Sequence, residues 1–270
     1  MALPAVDDLD IERISRSTVV AQVEYFPTLG STQDRAHEMA RSGACGALPL
    51  LVVADEQTAG RGRGANRWWT GRGSLAISLL FDPADWNLPS HPLPERSLAV
   101  GVAIVEAVRP HLAGHVVGLH WPNDVFASGK KIAGVLIDVL PGGRHVVGIG
   151  LNVNNTLADA PDEIRAGAAS LRDLSGRPLD RTALLLSLLE KVQSAVCDSA
   201  AAPAEFGRRF GQLCLQLGRE LTIEVGGQRT TGKGGDAPME IAHAPAKEEI
   251  AEIQLDDFPE PSGKGDEVPF

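Results

Sequence analysis

Residues 117–153 read VGLHWPNDVFASGKKIAGVLIDVLPGGRHVVGIGLNV. Apolar runs at 117–121, 125–127, 131–140 and 144–153 include two pairs joined by short links, Ser128-Gly129 and Pro141-Gly142-Gly143. Glycine-containing links of this length join neighbouring antiparallel strands. The stretch therefore predicts consecutive hairpins within a mixed or antiparallel sheet.

Helical patterns flank this stretch on both sides. Before it we predict a strand at 19–26, a helix at 33–42 that starts at Ser31 or Thr32 and stops at Gly43, strands at 50–54 and 74–81, and a long buried helix at 95–112. After it come helices at 180–197 and 203–213. The fold class is therefore α+β, with a mixed or antiparallel sheet flanked by helices.

The character of the chain changes after residue 214. One hairpin is credible at 221–231, whereas residues 232–270 contain ten acidic residues and three lysines, and only 249–255 has an apolar rhythm. We predict a main domain at 1–214, the start of a small β domain at 215–233, and a diverged or disordered acidic tail at 234–270.

Composition narrows the class of protein. The net charge of −10 argues against general affinity for nucleic acid. The three cysteines form no Cys-x-x-Cys or Cys/His cluster, so neither a disulfide framework nor a zinc site is indicated. The acidic N-terminal segment does not have the pattern of a signal peptide, and no run approaches the ~20 apolar residues of a membrane span. We expect a cytoplasmic protein without a membrane partner.

The loop QTAGRGRG at 57–64 is the strongest candidate for chemistry. Its glycines let backbone approach a ligand closely, and Arg61 and Arg63 supply charge and forked donors for phosphate or carboxylate. It does not match the phosphate-binding P-loop pattern. A flexible basic surface loop or a nucleic-acid-binding patch is the alternative for this loop alone.

Three further motifs carry weaker signals. Trp68, next to Trp69, offers a flat face for an adenine but could equally be a core anchor. Asn123 and Asp124 project short polar groups from a turn that needs no function. Lys131 could lie beneath a bound anion or be a solvated strand end.

Taken together and in order, these motifs resemble those of biotin protein ligases. The matching segments are Gly30-Ser31-Thr32-Gln33, residues 57–64 with Arg67-Trp68, Trp121-Pro122-Asn123-Asp124, KIAGVL at 131–136 and GIGLNV at 148–153. The resemblance implies a catalytic domain like that of class II aminoacyl-tRNA synthetases, which would be the main domain, followed by a small SH3-like barrel. It also implies ATP and biotin as substrates, Mg²⁺, formation of biotinyl-5′-AMP, and transfer of biotin to a lysine of a biotin carboxyl carrier protein.

The resemblance also implies the site residues. Those expected to bind biotin are Ser31, Thr32, Gln33, Gln57, Arg61, Gly62, Arg63 and Lys131. Those expected to bind ATP or the adenylate are Trp68, Asn123, Asp124 and Asn152. Lys131, Arg61 and Arg63 are the expected catalytic cations, and Asp124 is the candidate metal ligand.

The chain departs from the family pattern at several positions. His120 stands where a lysine is common, and the family's barrel is not recognisable after residue 233, where we favour a tail without barrel strands. The segment before the first strand is too short for the DNA-binding domain of some relatives, so we expect no DNA partner. A homodimer is left open.

Two other functions stay open from the sequence. A lipoate or octanoate protein ligase or transferase would use a similar fold and a lysine at the matching position. A non-catalytic homologue that binds biotin or the adenylate could keep the cavity and lose turnover.

Overall fold

The computed structural model describes residues 8–17, 19–43, 45–89, 95–225, 228–233 and 250–254, with side chains up to residue 219. The strands of the main sheet are β1 (Gln22–Leu29), β2 (Leu50–Gln57), β3 (Leu75–Phe81), β4 (Val117–His120), β5 (Asp124–Ala127), β6 (Lys130–Val139) and β7 (His145–Leu151). The helices are α1 (Ile11–Ser15), α2 (Thr32–Ser42), α3 (Glu95–Val108), α4 (Asp162–Gly167), α5 (Leu171–Ser175), α6 (Arg181–Ala201) and α7 (Pro203–Leu213), with short 3₁₀ turns at Pro83–Trp86 and Arg109–His111.

The seven strands form one sheet in the order β1-β2-β3-β7-β6-β5-β4. Strands β1 and β2 are parallel, and every other neighbouring pair in this sheet is antiparallel. Ser128 and Gly129, between β5 and β6, both have positive φ, which matches the twist of a two-residue hairpin. The predicted mixed sheet flanked by helices is confirmed.

The helices cover the two faces of the sheet unequally. The larger apolar core lies beneath α3 and α6, and includes Leu51, Ile77 and Ile149 from alternate positions of β2, β3 and β7. A smaller cluster, including Leu50 and Leu80, lies beneath α2 on the opposite face. Helix α2 covers only part of its face, so the rest of that face is open to form a cavity.

The first strand differs from the sequence-based expectation. It runs over Gln22–Leu29 rather than 19–26, because Val19 and Val20 are buried in the core ahead of the ladder. Pro27 lies inside the strand, which is tolerated since β1 is an edge strand that pairs only with β2. Strand β2 also continues three residues beyond the predicted end, to Gln57. Both shifts bring the ends of β1 and β2 closer to the motif residues that follow them.

A second sheet follows α7. Strands β8 (Glu220–Val225), β9 (Gln228–Lys233) and β10 (Ile250–Gln254) are antiparallel, in the order β10-β8-β9. Strand β10 lies within the segment 249–255, whose apolar rhythm was noted in the sequence, in the region where we favoured a tail without barrel strands. The remainder of 234–270 lies outside the described residues, and the division into domains stays a prediction.

Candidate active site

A cavity of about 620 Å³ opens on the α2 face of the sheet. Its floor is formed by β3, β7 and β6, and its wall by the start of α2, the loop that follows β2, and the turn between β4 and β5. Glycines occupy three floor positions, at 134, 148 and 150. Since Gly134 pairs with Gly150 across the ladder, the floor there is bare backbone.

The ring of Trp68 lies on this bare floor. A Cβ at Gly150 would stand 2.2 Å from Cε2 of Trp68, and a Cβ at Gly134 would stand 3.1 Å from its Cζ3. The Nζ of Lys131 lies 5.7 Å from the ring centroid, a cation–π distance. The two glycines therefore leave the space that the Trp68 ring needs to lie against the sheet.

One end of the cavity is polar and uncharged. Ser31 caps α2, with its hydroxyl accepting from the backbone N–H of Asp34 at 3.3 Å. Thr32 donates its backbone N–H to Oε1 of Gln57 at 2.8 Å, and Nε2 of Gln57 donates to Oγ1 of Thr70 at 3.1 Å. These buried or partly buried side chains offer hydrogen bonds to a polar ring.

Gln33 and Ser78 complete the polar end. The hydroxyl of Ser78 lies 2.9 Å from Oγ1 of Thr32 and 3.0 Å from Oε1 of Gln33, and all three residues are buried. A Cβ at Gly148 would stand 2.5 Å from Oε1 of Gln33, so the glycine makes room for this amide.

The other end of the cavity is charged. The Nζ of Lys131 forms an ion pair with Oδ2 of Asp124 at 2.7 Å, while Oδ1 of Asp124 is buried without a hydrogen-bond partner. His120 stacks on Phe126 at 4.7 Å, and burial lowers the pKa of its imidazole below the usual range. At neutral pH His120 is therefore uncharged, and Lys131, on the floor, supplies the positive charge at this end of the cavity.

The arginine-glycine loop closes one side of the cavity as a short hairpin. Arg61 and Arg67 form an isolated bridge, and Gly62 donates its N–H to the carbonyl of Asn66 at 2.9 Å. Arg61 forms an ion pair with Asp34 at 2.9 Å, and Arg63 donates to Oδ1 of Asn123 at 3.4 Å. Both guanidinium groups belong to exposed residues that line the opening, where they can meet an anionic ligand.

The structure brings nearly all of the predicted site residues into this one cavity. Its lining includes Ser31, Thr32, Gln33, Gln57, Arg61, Gly62, Arg63, Trp68, Asn123, Asp124 and Lys131. Asn152 is the exception: it is buried outside the lining, and its Oδ1 accepts from Nδ2 of Asn155 at 3.1 Å. Its predicted contact with the nucleotide stays a prediction.

Sequence reasoning missed Ser78 and the three floor glycines as parts of the site. Ser78 is a lone hydroxyl in the apolar strand LAISLLF, and Gly148 and Gly150 alternate along β7. The serine and the alternating glycines can be seen in the sequence, but that they lie side by side follows only from the pairing of Ser78 with Gly148 in the sheet.

Comparison with known proteins agrees with the fold. Residues 26–154 match the model of the biotin/lipoate A/B protein ligase family. The biotin–[acetyl-CoA-carboxylase] ligase of Mycobacterium tuberculosis is 32% identical over 219 residues, which cover 80% of this chain and 79% of the relative. The chain therefore belongs to the biotin/lipoate A/B protein ligase family.

Similar proteins in that family include a biotin protein ligase of known structure and a bifunctional ligase/repressor. The structure of the Aquifex aeolicus biotin protein ligase in complex with biotin and ATP superposes with a TM-score of 0.67, at 30% identity, and covers 78% of this chain and 86% of that one. The bifunctional ligase/repressor BirA of Bacillus subtilis is 36% identical over 170 residues, which cover 61% of this chain. The chain matches about half, 50%, of the length of that relative.

Two features are absent from the residues that the structure describes. No helix among them has the length and apolar character needed to cross a bilayer. No group of three or more His, Cys, Asp or Glu side chains among them is arranged to hold a metal ion.

Proposed function

We propose that this chain is an ATP-dependent ligase that forms biotinyl-5′-AMP from biotin and ATP and transfers the biotinyl group to a lysine of a biotin carboxyl carrier protein or domain. The main support for the proposal is the polarity of the cavity described above. Its inner end offers uncharged hydrogen-bonding groups, and its outer end offers Lys131, Arg61 and Arg63. Biotin has the same polarity, with a cyclic urea at one end and a carboxylate at the other.

In the first step, a carboxylate oxygen of biotin attacks the α-phosphorus of ATP and pyrophosphate leaves. The step brings two anions together, so cations held at the point of attack lower its barrier. Lys131 lies on the floor and Arg61 and Arg63 lie at the opening, so that a carboxylate and a triphosphate between them would meet three positive side chains. Trp68 offers the flat surface against which a planar group can stack.

In the second step, the amine of the acceptor lysine attacks the carbonyl carbon of the mixed anhydride and AMP leaves with its bonding electron pair. The lysine amine loses a proton as the amide bond forms. The opening beside the arginine-glycine loop is where an acceptor side chain would enter, and Arg61 and Arg63 would retain the adenylate until it arrives.

Mg²⁺ would supply further charge neutralisation on the phosphates. Mg²⁺ bound with nucleotides is commonly held by phosphate oxygens and one or two carboxylates. Asp124 fits this pattern, since its buried Oδ1 has no hydrogen-bond partner in the structure. We propose Asp124 as the carboxylate on the protein side.

We also propose that the reaction takes place in the cytoplasm, in keeping with three free thiols at Cys45, Cys197 and Cys214. Association of two copies of this chain into a homodimer stays a prediction.

The test is pyrophosphate exchange into ATP with biotin, lipoate or octanoate as the acid, followed by mass spectrometry of a carrier domain incubated with biotin and MgATP. We expect exchange with biotin and addition of one biotinyl group to the carrier. Exchange driven by lipoate but not by biotin would contradict the choice of substrate. Binding of biotin without exchange would identify a binding protein instead of a ligase.

A further inference from the structure

Behind the polar end of the cavity lies a carboxylate that does not line the cavity. Asp138 is on β6, opposite Val146 of β7, and its Oδ2 accepts from Nε2 of Gln33 at 2.9 Å. His37, one turn after Gln33 on α2, places its Nε2 2.9 Å from the same oxygen. Asp138 therefore links the α2 side chains to the edge of the cavity.

These contacts fix which way the amide of Gln33 points. Its Nε2 lies 2.9 Å from the Asp138 carboxylate and 3.3 Å from the carbonyl of Val146, and both of these groups are acceptors only. The opposite orientation would place the amide oxygen against two acceptors. The amide oxygen is therefore directed at Ser78, whose hydroxyl lies 3.0 Å away.

The orientation of Gln33 in turn limits what Ser78 and Thr32 can offer. The single proton of the Ser78 hydroxyl is shared between Oε1 of Gln33 and Oγ1 of Thr32, which are both within 3.0 Å. The hydroxyl of Thr32 lies 3.1 Å from Oε1 of Gln57. The hydrogen bonds that run from Asp138 through Gln33 to Ser78 and Thr32 therefore determine which oxygen lone pairs are free to accept from the N–H groups of a ligand.

We propose that Asp138 is a positioning residue for the polar ring of the substrate. Its carboxylate holds the Gln33 amide so that the buried end of the cavity presents acceptors to the two N–H groups of a cyclic urea. The inference rests on the proposed function, because it assigns that ring to this end. Asp138 acts only through Gln33 and is not itself in the cavity lining.

A purely structural role for Asp138 predicts something different. Asp138 and His37 form a partly exposed pair that links α2 to β6, and such pairs contribute little stability. Loss of that link alone would lower stability only slightly and would affect the KM for biotin and the KM for ATP equally. Positioning of Gln33 predicts a defect in the use of biotin and none in the use of ATP.

The experiment measures biotin-dependent pyrophosphate exchange in the wild-type chain and in Asp138→Ala, Asp138→Asn and Glu106→Ala. Asparagine can still accept from Gln33 through Oδ1, so it is the conservative rescue. Glu106 pairs with Arg209 at a similar side-chain exposure, 27% against 29% for Asp138, and neither Glu106 nor Arg209 lines the cavity. Glu106→Ala therefore controls for the loss of a partly exposed carboxylate and its contact with a neighbouring side chain.

We expect Asp138→Ala to raise the KM for biotin about tenfold, the effect of one misdirected hydrogen bond, with kcat and the KM for ATP within about twofold of wild type. Asp138→Asn should stay within about threefold of wild type for all three constants, and Glu106→Ala should match wild type. A biotin KM unchanged in Asp138→Ala, or an equal rise in both KM values, would overturn the inference while the wild-type exchange still supported the proposed function. Absence of biotin-dependent exchange in the wild-type chain would refute the proposed function itself.

Discussion

Replacing Lys131 with methionine should nearly abolish adenylation. The side chain is about one-third exposed (34%), forms a 2.7 Å ion pair with Asp124, and lies over the Trp68 ring. Methionine keeps the length and most of the packing but removes the charge. Loss of one preorganised cation costs about 10²–10³ in rate.

A second effect adds to the first. Without Lys131, the carboxylate of Asp124 remains in the cavity as an uncompensated charge beside an incoming carboxylate and triphosphate. Two like charges at about 5 Å interact by about 3 kcal/mol at an effective dielectric constant of 20. The combined loss is therefore expected to exceed that from the cation alone by about 10²-fold, and to reach about 10⁴–10⁵.

The assay is biotin-dependent pyrophosphate exchange, which reports adenylation without the transfer step. The double variant Lys131→Met/Asp124→Asn is the matched comparison, because it removes both charges and also the proposed Mg²⁺ contact of Asp124. Exchange at least about tenfold faster than in Lys131→Met would show that repulsion by the unpaired carboxylate outweighs the loss of that contact. Exchange by Lys131→Met within about threefold of wild type would refute the role of the cation. A double variant no faster than the single one would refute the role of the stranded carboxylate.

Three other outcomes follow from the geometry. Gly150→Ala should displace Trp68, because the new Cβ would lie 2.2 Å from the ring. Biotin-dependent exchange should fall about 100-fold. Gly167→Ala is the control, because Gly167 has open space around it and its replacement should leave exchange unchanged. Arg63→Ala should leave the melting temperature unchanged, since its side chain is exposed, and should speed release of the adenylate about tenfold in a filter-binding assay. Burial lowers the pKa of His145 to about 4. As pH falls below about 6.5, the unfolded chain therefore binds a proton at this residue before the folded chain does. The free energy of unfolding should fall by up to about 3 kcal/mol between pH 6.5 and 4. Urea titrations at several pH values would show this slope, and it should flatten in His145→Gln.

The pH argument follows from the contacts of His145. The ring is fully buried, its Nδ1 donates to the carbonyl of Gly143 at 2.8 Å, and its Nε2 accepts from the guanidinium of Arg96. A proton on Nε2 would face Arg96 directly, so the folded state keeps the imidazole neutral. If the slope in the wild-type chain equalled that in His145→Gln, this account of the buried pair would be wrong.

The sheet could be predicted from the sequence because its signals are local. The hairpins between β5, β6 and β7 follow from short turns rich in glycine, and the start of α2 follows from Ser31 as its cap. The exact start of β1 could not, since Val19 and Val20 have strand character but are buried against the core by packing from distant elements. The segment Ile250–Gln254 had an apolar rhythm, but its pairing with β8 could not be predicted, because the two strands are far apart in sequence.

The charged and aromatic parts of the site were predictable for a different reason. Arg61, Arg63, Trp68 and Lys131 each belong to a motif whose order along the chain matched a known family, and the structure gathers them in one cavity. Most of the polar end was predicted as well, with Ser31, Thr32, Gln33 and Gln57. Ser78 was not, because it lies in a strand whose other residues are apolar.

The glycines of β6 and β7 show how such a site can be read further from sequence alone. In a sheet, residues two apart share a face, so glycines at 148 and 150 leave one face of β7 bare over two positions. Once a hairpin fixes the register, Gly134 falls opposite Gly150, and the bare area extends across two strands. A central strand with glycines on one face lacks side chains to pack there, which lowers stability unless side chains from other segments fill the space. Here Trp68 covers Gly150 and Gln33 covers Gly148, and both come from segments that also line the cavity. Paired glycines in the middle of an otherwise apolar sheet therefore indicate a cavity floor, and the long side chains that must lie on it are to be sought in the neighbouring loop and helix.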